Sequence, residues 1–313
     1  MLRFIVKRLL LTIPTLLGII AIVLFLIMLT PGDPARLQLG DYATDAEVEA
    51  LRETLGLNDP FHVRYVTYIN NVLHGDFGIS FRSKTPVIND ILTRYPYSLF
   101  LVTISLVFSC CIGIPIGIYA ATHQYTWKDN AAIGGALFCV SMPNFWFALI
   151  LIQIVCVRFR LLPPSGVDDW RGWILPIIAG SLGHTATIAR QTRSNMLEVI
   201  RQDYITTALA KGQTIRKVRY VHALRNAIIP VIMVVGSIFG IMMGGAMVTE
   251  VIFSIPGLGT YAITALQSRD YPVIQTNILF MSAMFAAVLL IVDIVFAIVD
   301  PRIRSQFASK RKQ

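Results

Sequence analysis

A chain of 313 residues that is 55% hydrophobic and 14% charged, with a mean hydropathy of +0.65, carries more apolar side chain than the core of a soluble domain of this length needs. It reads as an integral membrane protein. Its formal charge of +9 does not indicate nucleic acid, because the basic residues fall between bilayer-length apolar segments, an arrangement foreign to nucleic-acid readers.

At the N-terminus Arg3, Lys7 and Arg8 precede a run that is uncharged from Leu9 to Gly32. The basic start is that of a signal peptide, but no short small-residue cleavage site follows, so the run is expected to stay as a first span. Crossing about 30 Å of hydrocarbon takes roughly 20 mainly apolar residues. Six segments qualify, about 9–30, 97–121, 131–157, 172–190, 228–249 and 277–299, the fourth being the least hydrophobic. They are too long and too rich in Gly and Pro for barrel strands. The expected fold is therefore an all-α integral membrane protein with six transmembrane helices. Residues 1–96 would form the first helix and an outer helical extension, 97–300 a five-helix core with a cytoplasmic loop at about 191–227, and 301–313 a basic cytoplasmic tail.

Lys and Arg set the orientation. With the N-terminus inside, the cytoplasmic segments hold 17 of them and the outer segments 10. Both termini are then cytoplasmic. In the outer extension, Thr44 to Glu47 (TDAE) is a capping box opening a helix that Gly56 closes; Asp59 and Pro60 suit the N-cap and first position of another helix ending near Gly75. GDFGIS reads as a turn. Some 65 residues with few large apolar side chains bury too little to form an independent domain.

In span two, Gly113 and Gly117 flank Pro115 and suit close packing and a kink. The four cysteines, Cys110, Cys111, Cys139 and Cys156, all fall inside apolar runs, which suggests neither a disulfide framework nor a zinc site. In span three, Asn144 beside Pro143 and Trp146 is polar at membrane depth and needs a partner; it faces either a pathway or backbone freed by Pro143. The loop after span four contains TTALAKGQTIRKVRYVHALRNAIIP, with five Lys or Arg and no acid. Asp203 suits the cap of a helix from Tyr204 to Lys211, Gly212 its left-handed end, and Thr214 the cap of the next helix. Ile215, Val218, Val221, Leu224 and Ile228 then form an apolar stripe. This helix, Gly turn and helix is open to three uses: a positive-inside anchor, an amphipathic helix on anionic lipid, or a lever of about 12 Å that a cytoplasmic partner pushes.

Gly236, Gly240 and Gly244 give span five a small-residue face, for packing or for lining a path. Glu250 and Asp270 flank the loop to span six, where SIPGLG turns sharply at Pro256, Gly257 and Gly259. Asp293 is the one acid inside a span, and a basic residue at the cytoplasmic face is its expected partner. No His pair has metal-ligand spacing, no catalytic constellation sits at membrane depth, and there is no G-x-x-x-x-G-K-[ST] phosphate loop. The expectation is no catalytic residue, no metal and no cofactor on this chain.

At the basic loop the chain resembles the inner-membrane permease subunits of ABC importers, in particular the peptide/nickel permease family. The general signature, E-A-A, three residues, Gly, nine residues, I-x-L-P, aligns with Thr206-Thr207-Ala208, Gly212 and His222-Ala223-Leu224-Arg225 without its Glu and final Pro. The peptide/nickel branch reads TARAKG and HALRNALIP, close to TALAKG and HALRNAIIP here. MLRFIVKRLLLTIPTLLGI, PGDPA, LGLNDP, GDFGIS, SMPNFW, LLPPSG, ARQTRSNMLEVIRQDY, IFSIPGLG, RDYPVIQ and DPRIR extend the likeness over nearly the whole chain.

The resemblance implies a type I ABC importer permease fold in a bacterial cytoplasmic membrane. It implies ATP and Mg in two separate ATPase subunits, a second related permease, an extracytoplasmic substrate-binding protein, surrounding lipid and a short peptide as cargo; nickel chelates and glutathione are alternatives. The coupling residues would be Asp203, Tyr204, Thr206, Thr207, Ala208, Ala210, Lys211, Gly212 and Arg216. Asn144, Trp146, Gly240, Gly244 and Glu250 are candidates for the pathway or gate, and Pro256, Gly257, Gly259 and Asp270 for an outer loop dipping into the vestibule. An ion-coupled secondary transporter is the competing class, since such proteins use intramembrane ionisable groups; an intramembrane enzyme lacks its residues.

Overall fold

The computed structural model describes residues 2–30, 32–40 and 42–299; the expected basic tail at 301–313 lies outside them. Helix α1 (Leu2–Leu29) leads into three short helices, α2 (Pro34–Leu39), α3 (Asp45–Thr54) and α4 (Phe61–Leu73), which form the helical extension expected after span one. After α5 (Val87–Thr122) come α6 (Trp127–Ser141) and α7 (Asn144–Leu151), the latter prolonged by a π-helical turn at Ile152–Arg158. Helix α8 (Ile174–Ile200) is followed by α9 (Asp203–Ala210) and α10 (Ile215–Lys217), and a second π turn at Val218–Ala223 runs into α11 (Leu224–Ile252). The short α12 (Leu258–Ser268) and the long α13 (Tyr271–Val299) complete the order.

Local chemistry explains most boundaries of the extension. Thr44 and Glu47 close a reciprocal capping box, and Gly56 ends α3 at φ +62°, as the pattern predicts. Asp59 does not cap α4. Pro60 occupies the N-cap without a side-chain bond, while the Asp59 carboxylate turns back over Gly56, 3.0 Å from where a Cβ would stand. Helix α2 was not foreseen, although Asp33–Pro34 is the N-cap and Pro pair that opens it: Asp33 Oδ1 accepts from Ala35 N–H at 3.1 Å.

Among the described residues five helices are long and apolar enough to cross a membrane, and a sixth crossing arises if α6 and α7 with its π extension count as one span bent by 97°. The uninterrupted third span expected at 131–157 is thus corrected to a broken one. Proline disfavours the helical region for the residue before it, and Met142, preceding Pro143, is extended at φ −80°, ψ 128°. The other long helices overrun the apolar windows that located them. Helix α5 begins at Val87 rather than near 97, α8 continues to Ile200 rather than 190, and α13 starts at Tyr271 rather than 277. Backbone hydrogen bonding extends the helix beyond the stretch that must be apolar.

Helices α5 and α8 pack most closely. A Cβ at Gly113 would stand 2.7 Å from Thr185 O and one at Gly117 2.5 Å from Ala189 O, so these two glycines let the backbones touch. Gly236 and Gly240 admit α13 in the same way, against Val292 and Phe285. Asp293 finds its basic partner in Arg8 at 2.9 Å, which joins the start of α1 to the end of α13.

Candidate functional site

The turn between α9 and α10 is built from the outside in. Helix α9 ends in a complete Schellman motif: Gln213 N–H donates to Ala208 O at 3.3 Å and Gly212 N–H to Leu209 O at 2.9 Å. This requires Gly212 in the left-handed region, at φ +78°. Thr214 then accepts from Lys217 N–H and caps α10. Asp203, expected as the N-cap of α9, is instead its first residue, and Gln202 stands at the cap without a side-chain bond. An acid in the first turn still complements the helix dipole.

Ile205 is the buried foot of this elbow, in a cluster with Ile118, Met196, Val218, Ala223 and Ala227. Two side-chain bonds hold it to the root of α11. Asn226 Nδ2 donates to Tyr204 Oη at 2.7 Å, and His222 Nε2 meets Gln213 Oε1 at 2.8 Å. Away from the foot, Tyr204, Thr206, Thr207, Leu209, Ala210, Lys211, Gly212 and Arg216 are exposed and Ala208 is half-buried. The structure thus brings the nine expected residues into one compact element whose outer surface is free of the chain itself. Residues 191–200, expected within the loop, are the last turns of α8.

The apolar stripe of the second helix is also corrected. Ile215 and Val221 are exposed, and the buried positions are Val218, Ala223, Ala227 and Val231. The first step is five residues and the others four, because the π turn inserts one extra residue. Sequence reasoning missed Gln213 and Asn226, although HALRN contains one of them.

Just before the elbow, Arg193 of α8 grips Asp129 of α6 with Nε and Nη2, both at 2.6 Å. Asp129 also accepts from Tyr125 N–H at 3.1 Å, and its residue is 2% exposed. This bidentate pair ties the elbow's support to the first arm of the broken span. No periodicity marked either residue.

At the opposite end, Glu250 is 1% exposed and reaches across the SIPGLG turn to the start of α12. Its carboxylate accepts from Ser98 Oγ at 2.6 Å, Gly259 N–H at 2.8 Å and Thr260 N–H at 3.1 Å. Ser98 Oγ in turn accepts from Leu258 N–H at 2.8 Å. The carboxylate neutralises the orphan donors of a helix N-terminus. Gly257 and Gly259 exist to let it in, since a Cβ on either would fall 2.4 Å from Glu250 Cδ or Met247 Cα respectively. Pro256, at the tip of the turn, is exposed. At the far end of α12, Asp270 accepts from Ser80 Oγ at 2.6 Å and from the amides of Phe81 and Arg82 at 3.1 and 3.2 Å. Glu250 and Asp270 therefore clamp α12 at both ends.

The remaining expected residues do not converge on these sites. Asn144 and Trp146 lie exposed just past the bend of the broken span. Gly240 packs on Phe285, while a Cβ at Gly244 would meet nothing; both border a groove of ≈ 560 Å³ between α1, α11 and α13.

Comparison with known proteins gives this architecture a context. Residues 113–305 match the family described as "Binding-protein-dependent transport system inner membrane component", and residues 1–103 match its N-terminal counterpart. The dipeptide transport system permease protein DppB of Escherichia coli (strain K12) is 40% identical, over 97% of this chain and 99% of its own. The glutathione transport system permease protein GsiC of Salmonella choleraesuis is 41% identical with the same coverage. A solved chain of the MetNI methionine ABC transporter in an inward-facing conformation superposes with a TM-score of 0.59 at 17% identity, covering 69% of this chain and 98% of its own.

Proposed function

Because the chain belongs to the binding-protein-dependent transport system inner membrane components, multi-pass permeases of ABC importers in the cytoplasmic membrane, we propose that it carries short peptides inward, driven by ATPases that press on the α9 elbow. Two cytoplasmic ATPase subunits, a second related permease and an extracytoplasmic binding protein complete this importer, and ATP and Mg belong to the ATPases. The observation that carries the reading is the elbow itself, whose foot at Ile205 is buried while Tyr204 and Leu209 are each 43% exposed. A rigid helix fixed to α5, α8 and α11 and bare on its far side transmits an external push to three long helices at once, shifting a bistable bundle between inward-open and outward-open states.

Glutathione is the second reading that a specific observation favours, since GsiC is as similar as DppB. It is itself a short peptide-like solute with free carboxylates. An ion-coupled mechanism has less to work with. Asp293 already faces Arg8, and Glu250 is occupied by three donors, so neither acid offers the unengaged site that proton coupling needs. Uptake in cells whose proton gradient is collapsed while ATP is maintained decides between the two classes: uptake persists under this proposal and stops under ion coupling.

A further inference from the structure

Beside the α12 clamp lies a polar pocket of ≈ 470 Å³ between the start of α5, α12 and the turn after α4, within the size range of small-molecule sites. We propose that it is a carboxylate-binding subsite of the permease itself, holding the terminal carboxylate of a short peptide on the outer side of the membrane. The inference rests on the peptide-import reading above.

Charge bookkeeping inside the pocket points to an anion. Both of its acids already accept hydrogen bonds, Asp270 on both oxygens and Asp90 on Oδ2. Asp90 accepts from Ser83 Oγ, Thr85 Oγ1 and Tyr261 Oη at 3.2, 2.9 and 3.0 Å, and Asp270 has the three donors already described. The cations are in the opposite condition. Arg94 lies over the Tyr261 ring at 4.6 Å, and neither it nor Arg82 makes an ion pair among the described residues. Two of the residues that line the pocket each carry a buried polar atom without a hydrogen-bond partner, Arg94 Nε and Thr260 Oγ1. A buried donor without a partner is costly, and a carboxylate accepts from guanidinium and hydroxyl donors alike. The cation–π contact with Tyr261 holds the Arg94 guanidinium at the pocket, a group suited to bidentate recognition of a planar anion. The concave shape suits a small solute better than the side chain of a docked protein. The pocket walls come from the turn after α4, from the start of α5 and from α12, the element that Glu250 and Asp270 hold still.

The test uses the assembled transporter, with its sibling permease and ATPases but without its binding protein, titrated with dialanine and with dialanine C-terminal amide. The acid is expected to bind at least about tenfold more tightly than the amide, the scale of one charge-assisted hydrogen bond. R94Q should abolish that preference, R94K should retain part of it, and T260V should weaken the acid several-fold while leaving the amide unchanged. Equal binding of acid and amide, no binding of either, or an intact preference in R94Q overturns the proposal. If R94Q does not assemble, T260V decides, and an unchanged preference there overturns it. R94Q weakening only the docking of the loaded binding protein, with the preference for the acid over the amide unchanged, assigns the pocket to a protein side chain and also overturns it. Uptake of labelled dialanine and glutathione by the complete wild-type system separates the two levels: absence of any peptide uptake removes the functional reading, whereas the titration alone decides the pocket.

Discussion

At Gly212 the backbone does what only glycine does without strain. The open space around the position, where a Cβ would meet nothing within 4 Å, means that a side chain there is penalised by φ +78° and not by collision. Gly212→Val is therefore expected to destabilise the elbow by about 1–2 kcal/mol, and Gly212→Asn by less, since Asn tolerates this region. In membranes, the Val variant should be present at normal level yet fail to couple ATP hydrolysis to uptake or to retain the ATPases, as uptake, hydrolysis and co-purification measure. Normal coupled uptake by the Val variant removes the lever mechanism. Glu250 gives the opposite kind of residue, one whose surroundings are full. Gln in its place cannot accept from Ser98, Gly259 and Thr260 together, so Glu250→Gln should cost about 1–3 kcal/mol, read as earlier thermal unfolding in detergent. Gly212 was legible because left-handed glycine after a helix has a sequence signature. The Glu250 partnership was not, because its acceptor and its donor Ser98 are 152 residues apart.

Among the elements, the third crossing and the elbow differ most from their sequence patterns. Pro143 is visible in the sequence, yet Pro14, Pro96, Pro115 and Pro230 sit inside continuous helices, so a proline alone does not foretell the 97° break. The π turn at Val218–Ala223 shifted the buried face by one residue: it lets Val218 join the Ile205 cluster while Ala223 and Ala227 still face α5 and α8. Between these two elements stands the Asp129–Arg193 pair. Removing one partner leaves the other charge buried and alone, so Arg193→Ala should lower stability by on the order of 3 kcal/mol. Exchanging the two residues should recover part of the loss. Thermal unfolding of the parent and the two variants checks this, and an Arg193→Ala protein as stable as the parent shows that the pair holds nothing in place.

For the whole molecule, the proposed orientation makes a prediction independent of cargo. In a version lacking its four cysteines, a Cys at Thr54 in α3 should react with a membrane-impermeant thiol reagent in intact cells, and a Cys at Thr207 in α9 only in inverted vesicles. The reverse labelling pattern overturns both the orientation and the elbow's access to cytoplasmic ATPases. Exposed Leu10, Ile22, Phe138 and Ile241 are unremarkable on such a molecule, because lipid and partner subunits offer apolar contact that water does not. The apolar, all-helical character, the capping box at Thr44 and the Gly-ended elbow were determined by sequence alone, since each depends on composition or on neighbours a few residues apart. Tertiary structure alone decided the break at Pro143, the full length of the helices, the partners of Glu250, Asp129 and Asp293, and the Arg94 pocket. These depend on which distant segments share a low-dielectric interior, where an unpaired charge or donor is expensive enough to choose its partner from anywhere along the chain.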